Sequence, residues 1–289
     1  MIATTPMSAG REPHLALSRA SFIAATILVA AMSGTARGVP GAETAASALA
    51  SSLALNKSLW LCLGIAVWHL HRQVTPRVAP VDLALAFPAL ALAGTAAGVW
   101  PWIGLALSLL LWLPRLPDGA VRTGLLLALA TATHEVSIYM LGELAGDTLL
   151  NIDARIAALL SPLLMPALAV SGTALHSGDG HTLILVWGCS SLSNLGESLL
   201  LCWALTSLHP GAVAPGGALR LVGWLGLLGA LVIALNAARL TLMASSMDAY
   251  RFVHDEGGAV LFRIIVLALT ATISGVCIHD ASLRFARTR

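Results

Sequence analysis

Residues 219–244 read LRLVGWLGLLGALVIALNAARLTLMA, and after Arg220 no charged residue interrupts the run until Arg239. An α-helix rises 1.5 Å per residue, so about 20 apolar residues cross a hydrocarbon core about 30 Å thick. This stretch is long enough to do so, and its apolar residues leave no polar face for water. The rest of the chain has the same character. Of 289 residues, 57% are hydrophobic and 10% charged, with mean hydropathy +0.85. Soluble domains carry about 25% charged residues, so a soluble class is excluded. Long Leu- and Ala-rich runs without period-2 alternation argue against an outer-membrane barrel. The expected fold class is an all-α polytopic membrane protein.

Working outward from this helix gives a path of about eight transmembrane helices. Leu17 to Ala36 is the first, and its SGTARG ending also resembles a cleavage region; an uncleaved anchor is the favoured reading. A small-residue connection over 37–55 leads to a second helix, Leu53 to Leu70. The third starts at Val81 and breaks near Val99-Trp100-Pro101, and the fourth returns to Leu113. The fifth runs from Thr123 to Ala145. Residues 147–187 hold no clean span, because Pro162, Pro166 and SGDG interrupt them. Helices six, seven and eight are expected at Trp187–Leu208, Leu219–Ala244 and Ala259–Cys277. The chain thus reads as one integral membrane domain, 1–289. It has five N-terminal helices in 1–146, an outer segment in 147–187, and three further helices in 188–280. In the outer segment two short apolar runs flank Ser177-Gly178-Asp179-Gly180, which suits either a β-hairpin or an irregular loop before helix six.

Charge placement orients this path. With the N-terminus inside, the cytoplasmic segments hold Arg11, Arg19, Arg72, Arg77, Arg115, Arg122, Arg220, Arg284, Arg287 and Arg289, most of the 16 basic residues. The reverse orientation violates the positive-inside rule at nearly every loop. Both termini are therefore expected in the cytoplasm, the protein in the inner membrane with its lipid bilayer. The net charge of +2 implies no nucleic-acid partner. Cys62, Cys202 and Cys277 lie in apolar stretches and read as small hydrophobes. No Cys or His spacing suits a metal, and no cofactor is expected.

Three reactive groups fall at the outer ends of the last helices: Cys189 in WGCSSLSN, Arg239 in LNAARL and His254 in RFVHDEGG. Ionisable groups at the membrane edge are functional candidates by default. A thiolate is a nucleophile, favoured by a nearby cation and a helix N-terminus. A guanidinium offers fork-arranged donors to an oxyanion. An imidazole accepts and returns a proton near neutral pH. These are the parts for acyl transfer through a thioester. Each residue alone also has an ordinary reading: a structural thiol, a snorkelling arginine, a solvated histidine.

GCSSLSN after a Gly-rich hairpin, then LNAARLTL, then HDEGGAVLF, resembles the exosortase/archaeosortase family of membrane transpeptidases. That family has Cys-Ser/Thr-Gly, Asn-x-x-Arg and a later His followed by Gly, in this order. The resemblance covers residues 165–265. It implies Cys189 as nucleophile, Arg239 as essential arginine and His254 as third catalytic group, with Asn236 and Ser190 in support. It also implies a protein-sorting cysteine transpeptidase acting on membrane-anchored proteins with C-terminal tripartite signals of the PEP-CTERM kind. Such a signal is a short motif, a membrane helix and a basic tail; the acceptor is not specified. The sequence departs from the family in one place, with Ser191 where the family has glycine.

Arg263 and Glu143 are second-tier candidates. Arg263 is placed to snorkel outward or enter the site. Glu143 lies on a stripe with Glu135 and Tyr139, for an ion pair to Arg239 or simple interhelical bonding. Two other classes stay open: a small-molecule or lipid transporter using Glu135, Glu143, Glu197 and Arg239 as a polar pathway, and an inert membrane scaffold of the same fold. No internal repeat supports the transporter.

Overall fold

The computed structural model describes residues 17–36, 57–73, 75–94, 98–165, 167–209, 218–255 and 257–287. Among them are nine α-helices: α1 Arg19–Ala36, α2 Lys57–His71, α3 Pro80–Ala93, α4 Trp100–Trp112, α5 Ala120–Leu160, α6 Ser191–Ser207, α7 Ala218–Ser245, α8 Met247–Asp255 and α9 Gly257–Arg287. Three short strands, β1 Ala169–Ser171, β2 Ala174–His176 and β3 Thr182–Ile184, form an antiparallel sheet in the order β1-β2-β3. The fold is all-α apart from this sheet. The expected connection over 37–55 and residues 210–217 lie outside the described residues.

Three helical segments are long and apolar enough to cross a membrane: Ala120–Leu163, Arg220–Ser245 and Gly257–Leu283. Segments Arg19–Thr35 and Pro80–Ala93 are apolar but shorter. Side-chain contacts fix the relative direction of the rods. Arg19 on α1 pairs with the buried Asp82 on α3 at 2.9 Å, joining their N-terminal ends. Ser21 approaches His71 at the far end of α2 at 3.4 Å, so α1 and α2 are antiparallel. His69 bonds Ser207 at 3.0 Å, which sets α2 and α6 parallel. Arg220 at the start of α7 meets Asp280 near the end of α9 at 3.0 Å. One end of the bundle therefore gathers Arg19, Arg72 and Arg220, while the other carries the sheet, α8 and Cys189.

Helix α5 extends further than the sequence reading. It continues past Ala145 to Leu160, so the first third of the expected outer segment is helical. No proline falls between Gly146 and Leu160, and Leu150, Asp153, Ala154 and Ala157 are buried at helical spacing. Pro162 ends the helix in a short 3₁₀ turn rather than preventing it. This added length is the platform for the sheet. Leu150, Ala154 and Ala157 pack with Leu175, Leu183 and Leu185 from above and with Leu240 and Met243 of α7. The Gly-rich reversal predicted at 177–180 joins β2 to β3, with Gly180 at φ +88 and Ser177 N–H donating to His181 C=O at 2.9 Å.

Close approach of α5 and α6 depends on Gly196. A β-carbon there would collide with the His134 ring, whose side chain is largely buried and pairs with Glu135 at 3.1 Å. Gly196→Ala is expected to destabilise the purified protein by about 1–3 kcal/mol, the usual cost of overpacking. Thermal unfolding in detergent is the measurement. Gly275→Ala, with nothing within 4 Å of the added carbon, is expected to leave the midpoint unchanged or raise it.

Candidate functional site at the sheet-bearing end of the bundle

Cys189 closes a single 3₁₀ turn, Trp187–Cys189, between the sheet and α6. Its N–H donates to Val186 C=O at 2.7 Å, and the next N–H, of Ser190, donates to Trp187 C=O at 3.0 Å. Ser190 is the N-cap of α6, its hydroxyl accepting from Leu192 N–H at 3.2 Å. That is the ordinary solution for a helix N-terminus, where the first N–H groups have no partner in the helix. Ser191 N–H is taken by the Asp153 carboxylate at 2.9 Å. Cys189 is 4% exposed. All four cysteines are free and buried.

Asn236 locks α7 onto this turn. Its amide donates to Cys189 C=O at 2.9 Å and to Ser191 Oγ at 3.0 Å, and its carbonyl accepts from Asn194 at 3.3 Å. Asn236 is fully buried, so these bonds replace all of its water contacts. The amide therefore holds the cysteine turn and not the guanidinium one turn away. Ser191, the residue in the family's glycine position, uses its hydroxyl in this network and has no positive φ. Asn236→Ala leaves a buried carbonyl and hydroxyl without their donor. It is expected to cost about 2–4 kcal/mol, since each unmet buried group costs about 1–3 kcal/mol. Chemical unfolding in detergent measures it, with a matched loss in Thr206→Val arguing that the network is nothing special.

Arg239 lies one turn beyond Asn236, close enough to Cys189 and Arg263 to interact electrostatically with both. Its guanidinium stacks over Phe262 at 5.0 Å. Its Nε–H is buried with no acceptor, and Arg239 forms no ion pair among the described residues. It borders a cavity of about 400 Å³ walled by α2, α6, α7, α9 and Gly188, the residue before Cys189. Lys57, Glu197 and Arg263 also line this cavity.

The remaining candidates fall elsewhere. His254 sits near the end of α8; it is exposed and stacked on Tyr250 at 4.9 Å. Its neighbour Val253 packs in the same cluster as Cys189, whereas His254 is not among the residues lining the cavity. Glu143 is exposed on α5 and also outside the cavity. The structure thus brings together Cys189, Ser190, Asn236, Arg239 and Arg263, and leaves His254 on the adjoining helix. Sequence reasoning missed Asp153, Phe262 and Lys57. Asp153 had a readable signal, an acid on the apolar face of a helical period at 150, 154 and 157. Phe262 and Lys57 had none, since their roles come from which helices meet. Among the described residues no group of three His, Cys, Asp or Glu side chains could hold a metal ion.

The N-terminal end of α6 carries partial positive charge that favours a thiolate. Asp153 already takes one of its N–H groups, and Arg239 is a cation near enough to Cys189 to interact with it. No protein-family model, curated protein or solved structure matches this chain.

Proposed function

We propose that this protein is an exosortase-like cysteine transpeptidase of the inner membrane, with about eight membrane-crossing segments and both termini in the cytoplasm. Its substrates are membrane-anchored proteins with C-terminal tripartite sorting signals. The carrying observation is the juxtaposition of Cys189 with Arg239 beside a cavity that Gly188 lines, braced by Asn236. The motif order Cys-Ser, Asn-x-x-Arg, His supports it further.

In this reading the Cys189 thiolate attacks the scissile carbonyl, forming the C–S bond, and the carbonyl oxygen gains the negative charge. Arg239 holds that oxyanion. Collapse breaks the C–N bond, and His254 gives its proton to the leaving amine. An acceptor nucleophile or water then attacks the thioester, passes its proton to His254, and releases Cys189. The cleavage motif of a substrate anchored by a basic cytoplasmic tail would meet the bundle at the end that carries the sheet.

The test is co-expression with a membrane-anchored reporter ending in tripartite tails drawn from the same genome. A shortened reporter and a hydroxylamine-sensitive adduct on Cys189 are expected. A correctly inserted protein that gives neither with any such tail would sink the proposal.

A further inference from the structure

The cavity beside Arg239 is lined by more positive charge than the described residues neutralise. Lys57 from α2, Arg239 from α7 and Arg263 from α9 all line it, against the single carboxylate of Glu197. None of the three cations forms an ion pair among the described residues. Arg239 and Arg263 stand near enough to repel each other. Glu197 is itself shared: His134, Glu135 and Ser58 stand beside it, and of the three cations only Arg263 is near enough to interact with it. A buried Arg239 N–H has no acceptor. Unpaired cations and an orphan donor at one place are the mark of a site built for an anion.

The shape of the cavity adds the second half of the ligand. Helix α6 packs against both α2 and α9, while α2 and α9 share no comparable interface among the described residues. The gap between them is lined on the α9 side by apolar residues, and Val260, Ile264 and Leu267 there are each at least 41% exposed. In a membrane-spanning bundle such a gap faces acyl chains. Its volume of about 400 Å³ is in the ordinary range for a small-molecule site.

We infer that this cavity binds one phosphate-bearing amphiphile, the phosphate held by Lys57, Arg263 and Arg239 and the apolar chain lying along α9. Arg is suited to the task because its planar fork meets two phosphate oxygens at once. Lys57 supplies a compact third charge. The inference does not depend on peptide cleavage: a protein without transpeptidase activity can still bind, and an active one can fail to.

The experiment uses full-length Cys189→Ala protein in an uncharged detergent, so that turnover plays no part. The probes are dihexanoyl phosphatidate, dihexanoyl phosphatidylcholine and inorganic phosphate, read by equilibrium binding and by thermal unfolding. Saturable phosphatidate binding is expected, at least ten-fold weaker in Lys57→Gln/Arg263→Gln. Thr270→Leu, which fills the apolar end of the cavity, is expected to weaken phosphatidate and leave phosphate alone. Phosphatidate preferred over inorganic phosphate assigns the source as a lipid headgroup; equal affinity keeps the anion site and assigns a free phosphate. Either result supports the site only if the double substitution removes it. Binding that survives the double substitution, or no saturable binding by a well-folded protein, overturns the inference.

Discussion

Replacing Cys189 by alanine is expected to stop reporter processing, to below one-thousandth of the wild-type rate, while insertion and folding are preserved. Loss of the nucleophile from a concerted catalytic set costs about 10⁶-fold in a serine protease, so a thousand-fold drop is a conservative floor. Folding should survive because the structural bonds at this position belong to the backbone. The Cys189 N–H goes to Val186 and its carbonyl to Asn236, and both remain in the alanine variant. What disappears is one buried sulfur, worth about 1 kcal/mol of packing. Cys202→Ala is the matched control. Its side chain is equally buried, among Leu228, Val232, Ile273 and Cys277, and lies about three turns into α6. It should lose similar stability and keep full processing. The readouts are quantitative immunoblotting of the reporter and thermal unfolding of the purified protein. Processing by Cys189→Ala above a tenth of wild type would remove the cysteine from the chemistry.

The contrast between these two cysteines bears on what a sequence can disclose. Both sit near apolar residues, and burial does not separate them, at 4% and 1% exposed. What separates them is a turn. Cys189 precedes a helix whose N-cap, Ser190, is legible because serine at that position satisfies a free N–H. The long apolar runs were legible for a similar reason: lipid leaves no alternative to internal hydrogen bonding, so hydropathy alone finds α7 and α9. The extension of α5 was not legible. Pro162 and Pro166 read as interruptions, although a proline at the end of a helix only terminates it, and the burial of residues 150, 154 and 157 depends on the sheet and α7 that pack over them. Helices α3 and α4, at 14 and 13 residues, are shorter than a typical span.

Within the site, Asn236 shows where local spacing misleads. Three residues separate it from Arg239, which on one helix suggests that the amide orients the guanidinium. The structure gives the amide to Cys189, Ser191 and Asn194 across the α6–α7 interface instead. The two residues have separate tasks: one fixes where the thiol's backbone lies, the other supplies charge beside it. Sequence spacing reports which side chains share a face. It says nothing of what faces them, and that is why Phe262, whose ring lies against the guanidinium, could not have been found before the helices were brought together.

Arg239→Lys is expected to lower the rate of processing by about 10²–10³-fold, the usual cost of removing one oxyanion donor, despite keeping the charge. The reasoning rests on how the guanidinium is held. The guanidinium lies over the Phe262 ring at 5.0 Å, and its Nε–H is buried with no acceptor among the described residues, free to donate to a bound oxyanion. A lysine ammonium is a point charge on a flexible stem, more strongly hydrated and unable to present two parallel donors. It would still favour a Cys189 thiolate, so the variant separates two contributions that Arg239→Gln removes together. Alkylation of Cys189 by an uncharged electrophile reads thiolate formation: Lys should keep it within about three-fold of wild type, and Gln should lose it. Processing reads the oxyanion: both variants should fail. Phe262→Leu, which frees the guanidinium to swing, should fall between, with alkylation intact and processing reduced by less than in Arg239→Lys. Processing by Arg239→Lys within three-fold of wild type would mean that charge alone is used, and the fork would then have no part in the chemistry.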